Sequence, residues 1–403
     1  VSTGPAPHRV RTVVVLGLLS TFGPLSLDLY LPSLPHLATD LATSTSAAQL
    51  SITACLVGLA TGQLIGGPLS DRFGRKRPLV VGLLGYLLAT VGCAFAPSIT
   101  ALVLVRLVQG LAGATGLVVS RAIARDLFGG RELITVFARL TLVSGLAPVV
   151  APVLGGQLAR VMSWRGVFGV LAGFGVLLLV AGTFGLAESL PTERRSTGGL
   201  AAVGRSFRGL LADRLFVGLV LAAGLAIASM FAYISGATFV LQEIYGLSPQ
   251  GFSFVFGANS IGLMIMSQLG GRLGRRLAPG RVLAAGLTVN LAGALGLAVA
   301  VLTGAPLPVL VVSLFVMVSA VGLVLPTAMG LALADYPHVA GAASALIGLG
   351  QYVIGGLVAP LVGIAGEDTA IPLGLVALGC SLGGSLVFWA VTRPALRRRH
   401  AAG

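Results

Sequence analysis

The sequence predicts an all-α membrane protein: twelve transmembrane helices in two six-helix bundles, with both termini cytoplasmic. Three observations predict it. First, 56% of the 403 residues are hydrophobic, only 9% are charged, and mean hydropathy is +1.00. A soluble domain carries roughly 25% charged residues, so no water-soluble fold hides this much apolar surface. Second, the apolar residues form runs of about 18 to 25, each long enough to cross a bilayer. Third, the basic residues cluster in alternate gaps between those runs, as the positive-inside rule requires.

The runs fall near 12–34, 46–69, 78–96, 99–120, 134–158, 165–186, 215–240, 250–271, 282–303, 307–333, 338–362 and 370–392. The first is read as a span, because no small-residue cleavage site and polar mature domain follow it. Arg9 and Arg11 precede it; Arg72, Arg75, Lys76 and Arg77 follow the second run; Arg121, Arg125, Arg131 and Arg139 surround the gap after the fourth. Arg194, Arg195, Arg205, Arg208 and Arg214 lie mid-chain; Arg272, Arg275, Arg276 and Arg281 follow the eighth run; Arg393, Arg397, Arg398 and Arg399 close the chain. Only Arg106, Arg160 and Arg165 fall elsewhere among the 26 basic residues. The net charge of +14 therefore reflects topology, not a nucleic-acid surface.

The longest polar stretch divides the chain into an N-terminal bundle (1–187), a central cytoplasmic loop (188–214), a C-terminal bundle (215–392) and a basic tail (393–403). Asp71-Arg72-Phe73-Gly74-Arg75-Lys76 is echoed by Gly271-Arg272-Leu273-Gly274-Arg275-Arg276, each after the second span of its half. Such an echo points to duplication, with a binding site at the midplane between parallel repeats. Cys55, Cys93 and Cys380 sit inside apolar runs and make no disulfide framework. His8, His36, His338 and His400 suggest no metal cluster, and neither metal nor cofactor is expected.

Two full charges lie well inside spans, Asp28 and Arg106, where polarity is expensive enough to make function the default reading. Pro32 leaves the Asp28 carbonyl without its helical partner, and Pro24 does the same to Ser20, so the first helix can open toward a cavity. A carboxyl group in such surroundings suits proton exchange or substrate binding; the competing reading is a helix cap near the headgroups. Arg106 shares a helix face with Gln109 and Gly110 and needs buried partners; Asp28 is one candidate, and a structural anchor is the alternative. On the fifth span Ala147, Ala151, Gly155 and Ala159 recur every fourth residue, with Gly145, Pro148, Pro152 and Gly156 beside them, a row suited to tight packing. Tyr30, Phe231, Tyr233, Asn259, Met264, Gln351 and Tyr352 are candidates for a soft substrate cavity, although residues of these types are more often core.

Gly67-Pro68-Leu69-Ser70-Asp71-Arg72-Phe73-Gly74-Arg75-Lys76 resembles the loop signature of the major facilitator superfamily, G-x-L-a-D-R-x-G-R-K/R. Arg106 to Gly110 resembles its fourth-span signature, R-x-x-Q-G. Ala147-Pro148 and Ala151 to Gly156 resemble the fifth-span antiporter signature, with Ala151 where glycine is common. Asp28 to Pro32, Trp164 to Phe168, Gly251 to Phe256 and Gly341 to Leu346 are similar to the bicyclomycin/chloramphenicol resistance (Bcr/CflA) subfamily of drug:proton antiporters.

The resemblance implies the two-bundle fold of that superfamily, proton coupling at Asp28, Arg106 and Gln109, and a conformational latch at Gly67, Asp71, Arg72, Gly74, Arg75 and Lys76. Gly271 in place of an acid makes the latch one-sided. The expected function is proton-driven export of small amphipathic drugs, chloramphenicol- or bicyclomycin-like, by a working monomer in the bacterial inner membrane. The expected partners are drug, protons and the lipid bilayer. The alternative is a proton-coupled metabolite exporter or importer on the same fold. An enzyme would need a nucleophile and base, or metal ligands, inside the spans; a receptor would need a sizeable soluble region.

Overall fold

The computed structural model describes residues 6–195, 200–274, 276–336, 340–363 and 369–402. These residues form helices joined by short links. The first expected span is three helices, α1 (Ala6–Leu19), α2 (Phe22–Asp28) and α3 (Leu34–Asp40), with a 3-10 turn at Leu31–Ser33. Then come α4 (Thr45–Phe73), α5 (Lys76–Ala94), α6 (Ile99–Leu127), α7 (Gly130–Leu158) and α8 (Trp164–Gly185). The rest are α9 (Leu200–Ala212), α10 (Arg214–Phe239), α11 (Pro249–Leu273), α12 (Pro279–Thr303), α13 (Leu307–Ala334), α14 (Ala340–Val358), α15 (Ile371–Val387) and α16 (Arg393–Ala402).

Eleven helical segments among the described residues are long and apolar enough to cross a membrane, counting Val10–Asp40 as one. The expected span 134–158 lies in α7, whose apolar stretch, Leu146–Leu158, is shorter. Two segments read as a loop and a tail are helical instead. α9 forms inside 188–214 because Phe207 and Leu210, one turn apart, pack on an apolar cluster with Leu215, Phe216 and Leu219. α16 forms in the basic tail, where Leu396 packs on the same cluster and the Arg393 guanidinium lies 4.1 Å from the Trp389 ring centre.

Contacts divide the chain into two units. Unit 1 is Val1–Thr43 with Ala54–Leu200, and unit 2 is Ser44–Thr53 with Ala201–Gly403. The start of α4 therefore groups with unit 2, where Gln49 Nε2 donates to the Ser235 carbonyl at 3.1 Å and Thr53 Oγ1 to Gly356 O at 2.8 Å. Lipid gives helices no hydrophobic reason to associate, so small residues decide how closely they pack. In unit 1, a Cβ at Gly110 of α6 would overlap the Cys55 carbonyl of α4. In unit 2, a Cβ at Gly322 of α13 would overlap the Leu263 carbonyl of α11.

Candidate functional site

The polar core of unit 1 begins at the breaks in the first span. Pro24 cannot donate to Ser20 O, and Ser144 Oγ from α7 donates to it instead at 3.3 Å. α2 ends at Asp28, so the carbonyl of Ser26 is left for a side chain, and Arg106 Nη1 takes it at 2.9 Å. On α7, Gly155 lies so close to the Leu29 carbonyl that a Cβ would overlap it. The glycine of the fifth-span row thus allows α7 to press on the opened backbone beside Asp28.

Arg106 is fully buried. It donates to Gln109 Oε1 at 2.5 Å, one turn along α6, while Gln109 Nε2 donates to Thr90 Oγ1 at 2.8 Å. Thr90 Oγ1 donates to the Tyr86 carbonyl at 2.7 Å, and the Tyr86 and Ser26 hydroxyls are 2.8 Å apart. The guanidinium carbon lies 4.6 Å from the Tyr30 ring centre and 5.7 Å from that of Phe168. A buried cation is held here by a carbonyl, an amide oxygen and aromatic faces. Asp28, the candidate counter-ion, is buried at 5% exposure but forms no ion pair with Arg106. Among the described residues its carboxylate has no hydrogen-bond partner at all. The Ser26 carbonyl, rather than the Asp28 carboxylate, meets the guanidinium.

The loop after α4 folds around Arg75, which is buried at 5% exposure. Its guanidinium donates to Asp71, to Ser70 Oγ at 2.9 Å and to Asp126 Oδ2 at 2.8 Å. Burial alone would push this guanidinium down, but Asp126 and Asp71 outweigh it and raise it. Glu188 caps α5: its two oxygens accept from the backbone N–H groups of Arg75 at 2.8 Å and Lys76 at 3.1 Å, and one also takes Leu190 N at 3.0 Å. Burial would raise its carboxyl, yet these bonds and Arg195 hold it below its ordinary value. Gly74 turns the chain at φ +88°, and a Cβ there would sit 2.5 Å from Glu188 Oε2. Arg72 lies over the Phe73 ring at 5.3 Å, and Ser70 Oγ donates to Gly67 O at 2.9 Å.

The second-half candidates lie in unit 2. Phe231 packs on Gly355 and lies 6.3 Å from Tyr352; Tyr233 stacks on Phe256 at 5.3 Å. Asn259 is buried, and neither amide atom has a partner among the described residues. Met264 and Gln351 are half-buried. Tyr30, the seventh candidate, belongs to unit 1 and packs on Arg106. Asn290, another polar group in an apolar run, donates to Met317 O at 2.9 Å and Ser229 Oγ at 3.2 Å.

A family model described as Major Facilitator Superfamily matches residues 16–360. The chain belongs to this superfamily. It is 42% identical over 96% of both chains to an uncharacterized MFS-type transporter, YdgK, of Bacillus subtilis. It is 29% identical to a bicyclomycin resistance protein homolog of Haemophilus influenzae, over 96% of this chain and 97% of that one. Its fold matches a bacterial homolog of the human lysosomal transporter Spinster, crystallised inward-facing and unoccupied, with a TM-score of 0.77 at 15% identity, over 98% and 99% of the two chains. These superfamily members are transporters rather than enzymes, and the chain is a multi-pass protein of the bacterial inner membrane.

Sequence reasoning about this superfamily member missed Ser26, Tyr86, Thr90, Asp126 and Glu188. Tyr86 and Thr90 stand one turn apart in an apolar run, a signal shared with ordinary core. Glu188 and Asp126 lie far along the chain from the loop they brace, where no local pattern announces them.

Proposed function

We propose that the chain is a proton-driven exporter of small amphipathic compounds, chloramphenicol- or bicyclomycin-like. Twelve spans, with α7 as the fifth, and cytoplasmic termini follow from the basic clusters. The observation that carries the reading is Asp28: a buried carboxylate, without an ion-pair partner among the described residues, at a break in the first span. A carboxylate neutralised by Arg106 would hold its charge throughout a cycle; an unpaired one is available to exchange a proton for a drug. Arg106 and Gln109 hold the broken backbone beside it, and the Asp71–Arg75–Asp126 cluster with Glu188 acts as the latch.

Deprotonated Asp28 favours the inward-facing state that binds drug, and protonation favours release outside. Drug and proton act on opposite sides of one equilibrium, so neither must touch the other. Within unit 2, Phe231, Tyr233, Asn259, Met264, Gln351 and Tyr352 line the drug's path. The relative that bears the name of bicyclomycin resistance supports the substrate class. The test is a susceptibility panel in an efflux-deficient bacterium, comparing the chain with Asp28→Asn. Resistance that vanishes in a well-inserted Asp28→Asn is expected. Full resistance in that variant overturns the coupling role, and uptake of a nutrient without any resistance overturns export.

A further inference from the structure

At the end of unit 1 opposite Glu188, a half-exposed carboxylate holds a buried ring. Trp164, the first residue of α8, donates its indole N–H to Asp40 Oδ2 at 3.0 Å. Arg165 braces the pair: its Nη1 lies 3.8 Å from the same oxygen, its Nη2 donates to Ala96 O at 3.2 Å, and its guanidinium lies 4.1 Å from the Trp164 ring centre. Asp40 keeps 51% of its side chain exposed, whereas Trp164 is 1% exposed.

The Trp164 ring is the first of a series. One turn along α8 it meets Phe168 edge-on at 6.2 Å; Phe168 meets Tyr30 at 5.3 Å. Tyr30 and Phe168 then cover Arg106 at 4.6 and 5.7 Å. The rings and Arg106 are all essentially inaccessible, and each lies within aromatic or cation–ring contact distance of the next. Interiors packed in this way pass a displacement along rather than absorb it. The aromatic faces of Tyr30 and Phe168 are part of what neutralises Arg106. Asp40 also ends α3, and Tyr30 lies in the link between α2 and α3. Both ends of the series are therefore attached to the broken first span.

We propose that Asp40 is a positioning residue: by anchoring Trp164 it sets, through Phe168, the placement of Tyr30 on Arg106, without touching Arg106 itself. Its effect on transport rests on the export reading above; its effect on the ring series does not. The chain's two tryptophans are Trp164 and Trp389, and Trp389 is 47% exposed. Trp389→Phe thus makes Trp164 the sole tryptophan of the full-length protein, read by excitation beyond the tyrosine band.

In that background four single variants and one double variant are compared at equal membrane abundance. Asp40→Ala removes the acceptor, and should change Trp164 emission and acrylamide quenching. Asp40→Asn keeps an acceptor oxygen, and should restore both. Export in Asp40→Ala should fall at least about tenfold in maximal rate with little change in KM, the scale expected for loss of a hydrogen bond to a charged group. Asp40→Asn should recover to within about twofold on the same scale. Phe168→Leu cuts the series midway, so adding Asp40→Ala to it should lower export by less than about twofold more, the non-additivity of residues acting as a unit. Trp164 emission should also respond to Arg106→Gln, at the far end.

Emission unchanged in Asp40→Ala, or effects of Asp40→Ala and Phe168→Leu that multiply independently, overturns the proposal. If no compound is exported by the parent while emission responds to both Asp40→Ala and Arg106→Gln, the export reading fails and the ring series stands.

Discussion

In unit 1 the buried polar core is built round a cation; in unit 2 it is built round an amide. Arg106 draws on Ser26 of α2 and, through Gln109, on Thr90 of α5. Asn290 of α12 draws on Ser229 of α10 and the Met317 carbonyl of α13. The helices involved correspond in order, and the serines and the α5 and α12 residues stand about one half-chain apart. Asp28, Arg75 and Arg106 are the buried charged residues among those described, and all three belong to unit 1. Among the described residues, both units bury neutral polar groups, and the buried charges are concentrated in unit 1. On the present account, the first half titrates and the second shapes the substrate's surroundings.

The comparison breaks first at its centre. Arg106→Leu leaves the Ser26 carbonyl and the Gln109 amide buried without their partner, a loss of about 1–3 kcal/mol for each unsatisfied group, and should abolish export. Asn290→Leu should leave export within about threefold, because only one neutral amide is lost. Equal losses in drug efflux from the two variants would erase the asymmetry.

The loops give the next contrast. Gly74 has φ +88°, while Gly274, its sequence echo, caps α11 at φ −61°. Gly74→Ala combines left-handed strain with overlap on Glu188 and should lower stability by about 1–3 kcal/mol; Gly274→Ala should be nearly silent. Thermal inactivation midpoints of the purified variants decide between them.

A smaller effect is pH dependence. Glu188 is held below its ordinary value of 4.5, so it binds fewer protons folded than unfolded there. Its stabilisation is present above that ordinary value and is lost as pH falls through the lower, folded one. The inactivation midpoint of the parent should therefore drop on acidification below about pH 4.5, and Glu188→Gln should flatten that drop. The smallest effect is expected in unit 2. Burial first, and then the bond to Asp213, push the Tyr336 hydroxyl up to about 12. Tyr336→Phe should shift the midpoint only slightly near neutral pH, where that group is protonated in both states.

Much of the fold was legible because span length and charge placement are local signals. The opening of the first span was legible for the same reason: Pro24 and Pro32 remove particular N–H groups, and α2 is bounded by breaks on both sides. The latch was half legible. Asp71 to Lys76 is a contiguous pattern, but Asp126 and Glu188 meet it only through tertiary packing. The echo of this pattern at Gly271 to Arg276 lacks the acid, and its Gly274 continues in helical geometry where Gly74 turns the chain. Asp28 and Arg106 were both singled out from composition, but their separation was not readable. It depends on tertiary packing, in which a backbone carbonyl meets the guanidinium.

The central claim is that one unpaired carboxylate in unit 1 couples drug to protons. Its most direct test is the purified chain in sealed proteoliposomes containing a pH-sensitive dye, with drug supplied on one side and no other driving force. The account predicts drug-dependent proton movement in the parent protein and none in Asp28→Asn, with drug binding retained in both. Drug-dependent proton movement at the parent's rate in Asp28→Asn would contradict it.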